Sequence, residues 1–128
     1  MQDLYNEISV AQSLAPAART ASANGAGVDL QGFDAAVVEV ATGAITDGTH
    51  TIEVQESDAL ASGYTPVADA DLQGAEPAIG SADDNVVYKI GYLGVKRYVR
   101  AIVTVAGATT GGLYAAHVVR GRARKQPK

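Results

Sequence analysis

The sequence predicts an all-β fold, a single antiparallel β-sandwich or jelly-roll-like domain with a short N-terminal arm. Three features carry this expectation. Two segments alternate apolar and polar residues with a period of two, several further runs of strand length are β-branched or aromatic, and turn-forming glycines separate them. About seven or eight short strands with turns between them suit two packed sheets.

The chain divides into an arm over residues 1–16, a sandwich over 17–121 and a basic tail over 122–128. In the arm, Leu4, Ile8 and Ala11 fall at helical spacing, but Pro16 follows closely, so an arm or one short helical turn is expected. Weak strands are expected at 19–23 and 64–68, and firmer ones at 35–41, 86–92 and 113–120. In Thr49-His50-Thr51-Ile52-Glu53-Val54-Gln55 the inward set is His50, Ile52 and Val54. In the segment from Lys96 to Val105 it is Val99, Ala101, Val103 and Val105. Turns are placed at Asp47-Gly48, Ser62-Gly63, Gly91 to Gly94 and Gly107 to Gly112, the last as a hairpin loop.

The 128 residues suffice for one domain, and 47% are apolar, mostly Ala and Val with one Phe and no Trp. Many small contacts must therefore build the core. No cysteine is present, so packing and backbone pairing hold the fold and a reducing compartment suits it. The acidic start, Met1 to Glu7, is unlike a signal peptide, and no apolar run is long enough to span a membrane. A cytoplasmic product without membrane insertion is expected.

The net charge of −4 conceals a segregation of signs along the chain. All 14 acids lie between Asp3 and Asp84, while nine of the ten bases lie between Lys89 and Lys128. This order suggests a molecule with two electrostatic ends, able to meet neighbours of opposite sign.

Residues for catalysis are sparse. His50 and His117 sit in strands at positions facing the apolar set, where a packed histidine is a commoner outcome than a shared metal site. The pairs Glu56/Asp58, Asp69/Asp71 and Asp83/Asp84 offer oxygen ligands to a hard cation, but none has EF-hand spacing. Neither a phosphate loop nor a nucleophile turn is present. The expectation is no enzyme, no cofactor and no metal. Tyr88, Tyr92 and Tyr98 flank one turn; half-buried sheet residues are the commoner explanation, and a shared interface patch is the alternative. The basic C-terminal residues Arg120, Arg122, Arg124 and Lys125 suit an acidic protein partner or a solvated tail better than nucleic acid, because stacking aromatics are sparse there.

The order of several segments resembles a family of small proteins of tailed bacteriophages, encoded among the head genes near the major capsid protein. The residues are Val28-Asp29-Leu30-Gln31-Gly32-Phe33, Gly48-Thr49-His50-Thr51 with Gln55-Glu56-Ser57-Asp58, Gly91-Tyr92-Leu93-Gly94-Val95-Lys96-Arg97-Tyr98-Val99-Arg100, and Val118-Val119-Arg120-Gly121. The resemblance spans almost the whole chain. It implies a virion structural protein, a capsid decoration or cement protein made in the bacterial cytoplasm and bound to the capsid surface. The major capsid protein would be its partner, with copies of itself in an oligomer, often a trimer. Leu4, Tyr5 and Ile8 in the arm and Arg120, Arg122 and Arg124 near the C-terminus are the candidate contacts. The alternatives are a carbohydrate-binding surface module, disfavoured by the missing Trp, and a head-completion or tail protein at the unique vertex.

Overall fold

The computed structural model describes residues 2–123, most of them in strands. Among the described residues, eleven strands form two antiparallel sheets packed face to face, the β-sandwich that the alternating segments require. They are β1 (Ser9–Arg19), β2 (Ala23–Asn24), β3 (Val28–Asp29), β4 (Phe33–Ile45), β5 (Thr49–Ser57), β6 (Thr65–Pro66), β7 (Leu72–Gln73), β8 (Ala78–Ile79), β9 (Val87–Tyr92), β10 (Tyr98–Ala106) and β11 (Gly112–Ala123). One 3-10 turn, Asp69–Asp71, precedes β7.

The first sheet has the order β1-β11-β4-β9-β7, and the second β2-β10-β5-β6, with β3 also on β10 and β8 also on β5. Between them lie the inward residues of the alternating segments. Ile52, Val54, Val99, Ala101 and Val103 are at most 1% exposed, and Val38, Val40, Ile90 and Val118 face them from the other sheet. Each buried valine removes a modest apolar area from water, on the order of 25 cal/mol per Å², so stability is spread over many small contacts.

Several boundaries differ from expectation. Ser9 to Pro16, expected in the arm, belong to β1, which pairs with β11 from Ser9↔Arg120 to Arg19↔Gly112. The arm is thus confined to residues before Ser9, where Glu7 donates to the Leu4 carbonyl in a single turn. Pro16 is tolerated because β1 is an edge strand whose register shifts twice between Gln12 and Ala17. In place of the strand expected over 19–23, Arg19 ends β1, residues 20–22 form a bend and Ala23 begins β2. At the other end, Arg122 lies within β11 rather than in a tail, with a left-handed φ of 51°.

The segment 107–112 is a crossover, not a hairpin, because β10 and β11 belong to different sheets. Asp47 organises it: the backbone N–H groups of Thr109, Thr110 and Gly111 all donate to its carboxylate. Gly111 has φ 81° and lies tight against the Arg19 carbonyl, where no side chain fits.

Among the described residues, folding brings some opposite charges together: Lys96 meets Asp58, Arg97 meets Asp29, and Glu39 lies opposite both His117 and Lys89. The signs segregated along the chain thus interleave at these places, while Arg124, Lys125 and Lys128 lie outside the described residues.

Candidate docking site

A cleft of about 490 Å³ lies at one end of the sandwich. Three segments shape it: the turn from β3 into β4 with Leu30 and Phe33, the β9–β10 loop with Val95, Lys96 and Arg97, and Asp58 just beyond β5. At its inner wall the Tyr92 hydroxyl donates to Glu56 Oε1 at 2.7 Å and accepts from the Lys96 backbone N–H at 3.0 Å. Burial, reinforced by the bond to Glu56, pushes the Tyr92 phenol far above its ordinary range. That hydroxyl is a fixed hydrogen-bonding group, not a proton donor for chemistry near neutral pH.

Gly94 lies against the Tyr92 ring so closely that a Cβ would collide with the hydroxyl. The loop consequently folds flat over the tyrosine and turns its apolar residues outward, leaving Val95 95% exposed and Leu93 55% exposed. Two ion pairs pin its far side, Lys96 to Asp58 and Arg97 to Asp29, each at 2.9 Å. The Arg97 guanidinium is bidentate, and it holds the Asp29 carboxyl below its ordinary value. Both pairs are exposed, so they position the loop more than they stabilise it.

The sequence-derived contact residues divide sharply at this end. Because Ser9 pairs with Arg120, residues 2–8 leave the sandwich beside the end of β11, and Gly121 pairs with Ala35 in the cleft wall. The two proposed anchors, distant in sequence, therefore converge next to the cleft. Leu4 and Tyr5 are 60% and 87% exposed, whereas Ile8 is half-buried near Gly121. Arg122 is exposed. Arg124 lies outside the described residues.

Arg120 is not a surface contact. It shares the inward parity of Val118, so its side chain enters the mouth between the sheets. There it donates to the Asp29 carbonyl of β3 and to Ser9 Oγ of β1, with its guanidinium over the Phe33 ring. It clamps the sheets together. The parity of this strand was the available signal, since Arg120 stands two residues beyond a core valine.

Of the two histidines, His50 is buried as expected, but His117 faces outward because its neighbours Ala116 and Val118 take the core positions. Its Nδ1 lies 3.6 Å from Glu39 on the outer surface of the first sheet. The three tyrosines are half-buried or buried sheet residues, the commoner of the two readings: Tyr88 and Tyr92 point toward the core, and Tyr98 lies on the outer side of β10 beneath Arg97. Among the described residues, no group of three or more His, Asp or Glu side chains is placed to hold a metal ion.

Fold and site together define a β-sandwich with an open cleft of mixed polarity and exposed apolar residues at one end. No protein-family model matches the chain, and no curated protein matches it.

Proposed function

We propose that this protein is a virion structural component, a capsid decoration protein that docks on the outside of an assembled phage head through the cleft end of the sandwich. The observation that carries the reading is the convergence created by the Ser9↔Arg120 pairing, which gathers Leu4, Tyr5 and Arg122 beside the cleft and its protruding Val95. Exposed apolar side chains ringed by charged ones suit a protein interface. The identity of the partner, the major capsid protein, rests on the resemblance of the segment order to phage head proteins.

A shell presents the same site many times, so one weak contact per subunit sums when copies are linked. Binding to purified heads tests the reading. Leu4→Ala, Tyr5→Ala and Arg122→Glu are each expected to lower occupancy, and undiminished occupancy in all three variants removes this end as the docking site.

The cleft also favours a second reading, a carbohydrate-binding module on the virion surface. Glu56 and Asp58 approach it beside Lys96 and Tyr92, a set of fixed donors and acceptors suited to sugar hydroxyls. Retention on a glycan array, abolished by Asp58→Ala, would favour that module. A protein confined to a unique vertex is distinguished by copy number.

A further inference from the structure

We propose that the outer face of the first sheet is a self-association surface on which a second copy of this chain packs across a two-fold axis. This goes beyond docking at the cleft end and uses a different surface.

Registers across four strands arrange that face in rows. One row runs Val10, Val119, Val37 and Gly91 from β1 through β11 and β4 to β9. A parallel row runs Ala115, Ala41 and Val87. Between them lies a polar row, Gln12, His117, Glu39 and Lys89. Outside the polar row the face carries Val, Ala and Gly: Val10 is 56% and Val87 68% exposed, whereas Ala115 is buried and Gly91 lies beneath the Gln73 side chain of β7.

The order of charge in the polar row selects the partner and the symmetry. A two-fold axis along the strands, passing between β11 and β4, reverses each row onto itself. Valine and alanine rows then meet their own copies, His117 meets Glu39 of the second copy, and Lys89 meets Gln12. A two-fold axis across the strands would instead set Glu39 on Glu39 and Lys89 on Lys89, which like-charge repulsion opposes. The face is thus self-complementary in one orientation only, the requirement of an isologous pair.

Strand spacing sets the expected strength. Four strands about 4.8 Å apart, with β4 and β9 paired from Ala36 to Ala41 at about 3.3 Å per residue, cover about 380 Å² per copy. The pair buries about 760 Å², below the usual size of specific interfaces, so association should be weak and concentration-dependent. Stacked sheets of this kind settle about 10 Å apart with strands near −30°, which small side chains permit. The resemblance to phage head proteins implies a trimer instead, and the stoichiometry separates the two.

Sedimentation equilibrium of the intact chain, from micromolar to near-millimolar concentration, tests the inference. The native protein is expected to pass from monomer to dimer. Val119→Lys should weaken the dimer about tenfold or more, while Leu60→Lys, exposed on a loop away from this face, should leave it unchanged. The decisive arm uses Glu39→Lys and His117→Glu, each checked for native thermal melting. Alone, each stays monomeric: the first sets two basic side chains opposite each other, and the second sets two carboxylates. Mixed in equal amounts they pair, because the ammonium introduced at position 39 of one copy meets the carboxylate introduced at position 117 of the other. A monomer at every concentration, a trimer, or no recovery on mixing overturns the proposal. Head binding by a strictly monomeric protein would overturn this inference alone, and a dimer that ignores heads would overturn only the docking reading.

Discussion

His50 Nδ1 accepts a hydrogen bond from the Tyr114 hydroxyl at 2.9 Å, joining β5 of one sheet to β11 of the other inside the core. The tautomer follows from the second nitrogen. Nε2 lies 3.0 Å from the Asp47 carbonyl, which can only accept, so Nε2 carries the proton and Nδ1 must be the acceptor. The rings also meet edge to face, with centroids 5.1 Å apart.

Tyr114→Phe keeps the ring and deletes the hydroxyl, leaving Nδ1 buried without a donor. The expected loss is about 1–3 kcal/mol in urea unfolding, with little change in the denaturant slope. A loss below a few tenths would mean that water reaches the imidazole.

Arg120 and Arg122 should behave as opposites. Arg120→Glu removes the bonds to Asp29 and Ser9 and places a carboxylate beside their acceptor oxygens, for a loss of about 2–3 kcal/mol. Arg122→Glu, on an exposed side chain, should leave unfolding nearly unchanged. Equal effects from the two would contradict the inward placement of Arg120.

The pH dependence on the acidic side has two contributions of opposite sign. The N–H of Gly111, with those of Thr110 and Thr109, holds the Asp47 carboxyl below its ordinary 3.8. A depressed folded pKa stabilises above 3.8 and is lost as pH falls through the lower folded value. Asp47→Asn should therefore lower the melting temperature at pH 7, and the gap to the native protein should close as acid protonates Asp47.

Glu76 shows the reverse. Burial raises its carboxyl above 4.5, although the Val54 N–H donates to it. Ionisation is penalised in the folded state, so its contribution improves as pH falls through the raised folded value toward 4.5 and weakens at neutrality. Glu76→Gln keeps an acceptor for Val54 and removes the charge, so the variant should melt at or above the native temperature at pH 7. A lower melting temperature would show that the ionised form is required.

The alternating segments were legible because each strand is half-buried: His50, Ile52 and Val54 cannot all face inward except in a strand. β1 was not. Its alanines and Pro16 have low strand propensity, and it becomes a strand through pairing with β11 at the far end of the chain. The same long-range pairing hid the mixing of charges and the crossover at 107–112. Arg120 and His117 were misplaced for a different reason: adjacent residues in a strand face opposite sides, and Val118 already occupied the core position between His117 and Val119. The cleft itself was not visible, because the fold alone brings Asp58, Phe33 and Lys96 together.

The most direct test of the proposed head docking is to add the purified protein to undecorated heads of a tailed phage and to count bound copies by quantitative mass spectrometry. The docking account predicts saturable binding over the whole shell, with many copies per head, that falls when Leu4 and Tyr5 are replaced by Ala. No binding, or a ring's worth of copies at one vertex that is indifferent to those replacements, would contradict it.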